Sequence, residues 1–359
     1  MCPRLDYPAF NQRRNDMRNY MLYAITGLLL LLTACNSNRK ELHVYCWSDY
    51  IKPGIIEEFE HTFNCKVVLD TFESNEAMYA KLKAGATGYD IIFPSSYYVE
   101  MMHKQGLLQK IDPSLIPNLK YVDLNFPIPG GAQALELAVP YMVSYTGIGY
   151  RIDKVQRVSP TWEIFARRDL KGRMTMLNDV REALGAALKS LGYSLNSTDD
   201  FQIAQAASTL INWKRNLAKF DSEQYKNGIA SAEYLVVQGY SGDLIQVMQE
   251  DANIGILYPQ EGTAISIDEI IIPKHAPEVQ LAHAFINFLL EPKRAAENME
   301  FVFFISPNTA AAQYLSPKVR NNPALNLPNE ILQRSEVIHD LSENNIRYIS
   351  AWETVKEAL

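Results

Sequence analysis

The sequence predicts an α/β protein of two domains, and three observations carry that expectation. From residue 41 onward, strand-like runs alternate with helix-like runs. The chain has 359 residues, too long for one small core and suited to two of ordinary size. Its composition is globular, 47% apolar and 21% charged, with no low-complexity segment and no internal repeat.

The folded part begins after a targeting segment. Met21 to Leu32 is a short apolar run behind Arg13, Arg14 and Arg18. It is shorter than the roughly 20 apolar residues a spanning helix needs. It ends in Leu32-Thr33-Ala34-Cys35, which resembles a bacterial lipobox. By that resemblance residues 1–34 are a lipoprotein signal peptide, Cys35 is lipidated, and 35–41 is a polar tether. Met17 is an alternative start. Removing 1–34 leaves 30 basic and 39 acidic residues, a net charge of −9. That balance argues against a nucleic-acid partner and suits a cationic ligand.

The elements follow in order. In "ELHVYCW", Leu42, Val44 and Cys46 alternate with His43, Tyr45 and Trp47, which predicts a strand. After Pro53-Gly54, the residues Ile55, Ile56, Phe59 and Phe63 line one helix face. "CKVVLDTF" is the second strand. In "SNEAMYAKLKAG", Ser74 caps a helix that Gly85 ends, with Met78 and Leu82 one turn apart. "YDIIFPSS" and "YYVEMMHKQG" give a further strand and helix. "PYMVSYTGIGYRIDKV", residues 140–155, reads as a strand crossing between domains. A second α/β stretch runs to about 265, followed by "AISIDEIIIP" and an amphipathic helix, "PEVQLAHAFINFLLEPKRAAENM". From about 312 the chain reads as helices around a loop. Cys46 falls near the end of the first strand and Cys65 near the start of the second. Parallel pairing would leave them too far apart for a disulfide, so two free thiols are expected.

No catalytic constellation is present. None of the six histidines falls in a metal-binding spacing, and there is no nucleophile elbow, P-loop or dinucleotide motif. No metal and no cofactor is expected. The anomaly is Asp268, inside the apolar run "AISIDEIII". A carboxylate buried there is costly unless it is paired. It either bonds to backbone or a nearby arginine, or it awaits a cation. Asp179 and Glu182, three apart at a helix start, project to one side; taken alone they would serve the helix dipole. Asp243 after "GYSG" reads alone as an N-cap, and Asp49 as a turn residue.

Together these stretches resemble the periplasmic polyamine-binding proteins, the spermidine and putrescine receptors of ABC importers. "YCWSDYIKPG", "DTFESNEAMYAKLKAG", "YDIIFPSSYYVEMMHKQGLLQKID", "PYMVSYTGIGY", "GYSGDLIQ", "AISIDEIIIP", "AFINFLLEP" and "ISPNTAAA" occur in the family's order. Coverage runs from 42 to about 315. The resemblance implies a type II periplasmic-binding-protein fold, with two α/β lobes closing over ligand in a cleft. Lobe 1 would be 41–146 plus 268–311, and lobe 2 would be 147–267 plus 312–359.

The resemblance also implies ligand contacts. Trp47, Ser48, Asp49 and Tyr50 match the first-strand contacts, and Ser95, Ser96 and Tyr97 the Pro-Ser loop. Asp179 and Glu182 match the acidic pair, Asp243 a carboxylate of the putrescine type, and Asp268 the central aspartate. Tyr240 stands where the family has Trp, and Phe304 where it usually has Tyr. Val143 and Ser266 replace aromatics, and Trp162, Trp213 and Trp352 lie elsewhere. The chemistry fits: a polyamine needs carboxylates for its ammonium groups and apolar or aromatic walls for its methylenes. The implied protein is a monomeric lipoprotein that hands a polyamine, putrescine ahead of spermidine, to an ABC permease. Alternatives are the same fold binding another small cationic or polar solute, or a ligand-sensing lipoprotein.

Overall fold

The computed structural model describes residues 39–123 and 135–358. The expected signal peptide and Cys35 lie outside the described residues. Among the described residues, no helix is long and apolar enough to cross a membrane.

Strand β1 (Glu41–Trp47) pairs in parallel with β2 (Lys66–Phe72) and β3 (Ile91–Ile92). Leu42, Val44 and Cys46 are buried as the alternation predicts, but Tyr45 on the opposite face is buried too, packed on Phe72 and Tyr89, because helices cover this part of the sheet on both sides. Helix α1 (Pro53–Phe63) carries Pro at its start, where no N–H is needed. Ile55, Ile56 and Phe59 face the core, while Phe63 at the last turn stays 40% exposed. Helix α2 (Asn75–Lys83) is capped by Ser74, whose Oγ accepts the Ala77 N–H at 3.1 Å. Helix α3 (Ser96–Lys104) follows β3. Cys46 lies opposite Thr71, and Glu41 opposite Lys66. Cys65 is thus offset from Cys46 by roughly 20 Å of strand rise, and both thiols are buried and free.

The crossing strand is β4 (Ala138–Arg151), 14 residues long. The second half of the fold then runs β5 (Met174–Met176), α4 (Val180–Ser190), α5 (Asp200–Lys214), β6 (Leu217–Phe220), α6 (Tyr225–Ala230), β7 (Val236–Tyr240), α7 (Ser241–Glu250) and β8 (Ile254–Leu257). Strand β9 (Ala264–Ile271) returns to the first half and leads to α8 (Val279–Leu289) and α9 (Pro292–Val302). A short β10 (Glu336–Val337) pairs with β9 before the C-terminal helix, Asn345–Glu357.

The strand order is β2-β1-β3-β9-β4-β7-β5-β6. The sheet is parallel at both ends, as the alternation predicts. It is antiparallel where β4 meets β9, β7 and β8. The early part of β4 pairs with β9 and the late part with β7 and β8, so this one strand ties the halves together.

Two main cores flank that tie. In the first, Phe59 of α1 meets Phe285 and Phe288 of α8 at 4.8 and 5.2 Å between ring centroids. This core also takes in Leu315, Val319, Ala324 and Leu325, which lie past residue 311, where the sequence reading ends its first lobe. The second core gathers Trp162, Trp213 and Tyr348 under α4, α5 and the C-terminal helix. His283 is a satisfied core residue: its Nε2 accepts the Asp112 N–H at 2.9 Å.

Candidate functional site

The seam between the cores is where the acidic side chains converge. Asp268 sits on β9, 9% exposed. It is held by hydroxyls: Tyr50 OH donates to Oδ2 and Ser95 Oγ donates to Oδ1, each at 2.7 Å. No lysine or arginine pairs with it among the described residues. Burial pushes its carboxyl up to about 6, while the bonds from Tyr50 and Ser95 pull the other way. Asn75, at the start of α2, fixes this group from behind. Its Nδ2 donates to Ser95 Oγ at 3.1 Å and Tyr97 OH at 3.3 Å, and its Oδ1 accepts the Ser95 N–H at 3.0 Å. Tyr50 is walled by the rings of Phe93, Tyr141 and Phe304, 5.8 to 6.1 Å away.

A second acidic station lies at the head of α4. Asp179 is the N-cap, accepting the N–H groups of Arg181 and Glu182 at 2.8 and 3.1 Å. Glu182 is 2% exposed. Its Oε2 accepts from Thr146 Oγ1 at 2.7 Å and its Oε1 from Ser266 Oγ at 3.1 Å. Burial first, and Asp179 next, push it up to about 8; burial also raises Asp179. The two stations share strand β9: Ser266 and Asp268 are two residues apart, on one face, about 6.6 Å between Cα atoms.

Sequence reasoning missed three contributors. Glu76, in the first turn of α2, is reached by solvent, yet the protein around it and then Asp179 push its carboxyl up to about 7. Arg181 is 2% exposed and bonds to neutral acceptors, His339 O at 2.8 Å and Asn196 Oδ1 at 2.7 Å, while its buried Nε has no hydrogen-bond partner among the described residues. Its guanidinium lies between the Tyr97 and Tyr348 rings at 5.8 and 4.8 Å. The third is Lys226, the partner of Asp243.

The expected residues divide accordingly. Tyr50, Ser95 and Asp268 form one bonded group, with Tyr97 linked through Asn75. Asp179 and Glu182 form another; burial first, and then these two acids, raise the hydroxyl pKa of the half-buried Tyr240. Phe304 lies against Gly242 at the start of α7. Trp47 packs on Phe72 at 4.4 Å, its buried Nε1 without a partner among the described residues. Ser48 and Asp49 are exposed at the turn, Asp49 with φ +53°, and Ser96 is buried in the first turn of α3. Asp243 is already matched, by Tyr225 OH at 2.5 Å and Lys226 Nζ at 3.2 Å. It is not the N-cap that its motif suggests when read alone, because Tyr240 occupies that position. Val143 is core, 1% exposed, packed with Ile265, Ile267 and Val337. Two open surface hollows lie elsewhere; one, of about 510 Å³, runs between α5 and the C-terminal helix.

Residues 54–327 match the family described as bacterial extracellular solute-binding protein. The chain belongs to this family. It is 33% identical over 341 residues to the spermidine/putrescine-binding periplasmic protein of Escherichia coli, covering 93% of this solute-binding protein and 97% of that one. Among solved structures, a spermidine/putrescine ABC transporter protein from Listeria monocytogenes superposes with a TM-score of 0.83 at 31% identity, over 89% of this chain and 99% of that one. The TpPotD lipoprotein of Treponema pallidum gives 0.78 at 36% identity, over 88% and 99%. The solute-binding protein therefore has the periplasmic-binding-protein fold, with its acidic stations at the seam. Its family is one of solute binding and transport, not a class of enzymes.

Proposed function

We propose that this protein captures a polyamine between its two lobes and delivers it to an ABC permease. The observation that carries the reading is Asp268, a buried carboxylate whose bonds among the described residues come from the Tyr50 and Ser95 hydroxyls. An ammonium group would meet that charge and offset the cost of its burial. The second station, Asp179 with Glu182, would take the other end of the ligand, and the Tyr50, Tyr97, Tyr240, Trp47 and Phe304 rings would cover the methylenes. Two stations suit a diamine, which favours putrescine over spermidine. The kinship with spermidine/putrescine-binding proteins supports the ligand class.

Cleavage before Cys35 and lipidation there would hold a monomer at the membrane on the periplasmic or outer face. The kinship with a Treponema pallidum lipoprotein supports that arrangement. Cys35→Ser should release the protein from the membrane fraction. The ligand reading is tested by calorimetric titration of ligand-stripped protein with putrescine, spermidine, cadaverine and arginine. It requires one-to-one binding of a polyamine. Folded protein giving heat with none of them, or with arginine alone, would refute it.

A further inference from the structure

Helix α3 starts at the Asp268 station and ends against the second half of the fold. Its N-cap, Ser95, donates to Asp268 at 2.7 Å. Its last residue, Lys104, places Nζ 2.7 Å from Asp340 Oδ2 and 2.7 Å from Ser342 Oγ. Asp340 belongs with the second half. Its Oδ1 accepts the Ser342 N–H at 2.9 Å and Asn345 Nδ2 at 2.7 Å, at the head of the C-terminal helix. The Asp340 side chain is 1% exposed and the lysine 55%, so a buried anion takes its cation from across the seam. Glu100, one turn earlier on α3, accepts the Asp340 N–H, which brings the two carboxyl groups close together. Two further contacts join α3 to the second half. Arg181 lies 5.8 Å over the Tyr97 ring, and Leu195 and Ile338 share a core with Tyr98, Val99 and Met102.

We infer that Lys104 is a positioning residue for ligand capture: its pair with Asp340 fastens the far end of α3 to the second half and so holds the Asp268 station facing the Asp179 and Glu182 station. This rests on the reading of capture between two lobes above. A contact that spans the seam exists only while the halves are together, so it favours the closed arrangement. Ligand that needs both stations then binds more tightly. With the lysine gone, the Glu100 and Asp340 carboxyl groups face each other across the seam, and their repulsion favours the open arrangement. Helix α3 has nine residues, roughly 14 Å of rise, so Lys104 acts through the helix and not on ligand. It therefore sets affinity for every ligand alike and leaves selectivity untouched.

The test is calorimetric titration with putrescine and spermidine of wild type, Lys104→Met, Lys104→Arg, Asp340→Asn and the double variant Lys104→Met/Asp340→Asn. Lys104→Met weakens both amines roughly fivefold, a modest loss because water reaches the lysine, and leaves the ratio of the two affinities unchanged. Lys104→Arg keeps the charge and recovers binding. The loss in the double variant falls short of the sum of the single losses, because both changes remove one contact. A melting midpoint on each variant shows that it is folded. Folded Lys104→Met that binds as tightly as wild type would overturn the inference. So would a changed affinity ratio, which puts Lys104 in touch with ligand, or fully additive losses, which show that Lys104 and Asp340 act apart. Wild type binding neither amine would instead overturn the polyamine reading, and this inference with it.

Discussion

Ser266 donates its hydroxyl to Glu182 at 3.1 Å, from a position two residues before Asp268 on β9. One strand therefore holds one anionic station directly and steadies the other through a hydroxyl. The resemblance places an aromatic residue at 266; here a small polar side chain lets the buried Glu182 carboxyl reach β9.

Ser266→Ala should weaken polyamine binding about three- to tenfold, the scale of one ordinary hydrogen bond. The lost bond also raises Glu182 further above its value of about 8. Calorimetry at pH 7 and pH 9 separates the effects, because the deficit shrinks at the higher pH if titration of Glu182 is the cause.

Tyr50→Phe removes a donor to Asp268 while keeping the ring among Phe93, Tyr141 and Phe304. A hydrogen bond to a charged group contributes about 1.5–3 kcal/mol, so binding should fall about ten- to hundredfold. The pH midpoint of binding should move up, since that bond holds Asp268 down. A weaker affinity with an unmoved midpoint would place Tyr50 outside this role.

Much of this was legible in the sequence, and the limits have physical causes. Asp268 stood out because a carboxylate in an apolar strand needs an explanation. The β1–α1–β2 order followed from periodicities of 2 and 3.6. Glu76 gave no signal, because an acid in a first helical turn is ordinary dipole chemistry. Lys226 and Asp243 are 17 residues apart and meet only because α6 packs against α7. The hydroxyls of Thr146 and Ser266 reach Glu182 through strand register, which the sequence does not print.

Ligand affinity should fall in two stages as pH drops, first through about 8, where Glu182 takes up a proton, and then through about 6, where Asp268 does; an amine with a pKa near that of lysine, about 10.4, stays charged. Stability of the ligand-free protein runs the opposite way. Glu182 and Glu269, both buried and both pushed up to about 8, hold protons that the unfolded chain releases. Stability therefore falls as pH rises from about 4.3, the ordinary glutamate value, to about 8, and the full penalty is present above that. The ligand-free melting temperature should be lower at pH 8.5 than at pH 5.5.

A Cβ at Gly242 would come within 2.4 Å of the Phe304 ring and of the Val302 carbonyl oxygen. The carbonyl belongs to backbone and cannot swing aside. Gly242→Ala should cost about 1–3 kcal/mol and push α7 away from the end of α9. Thermal unfolding reads the first effect, and small-angle scattering of the ligand-bound protein the second, as a larger radius of gyration.

The most direct test of the account is the effect of Asp268→Asn on putrescine and spermidine binding. The amide keeps the shape and removes the charge that the ammonium would meet. The account predicts a loss of roughly 2–5 kcal/mol, at least about thirtyfold in affinity. The melting temperature without ligand should stay unchanged or rise, since a costly buried carboxylate is gone. Binding as tight as wild type would contradict the placement of the cation at Asp268, and with it the reading of the seam as a polyamine site.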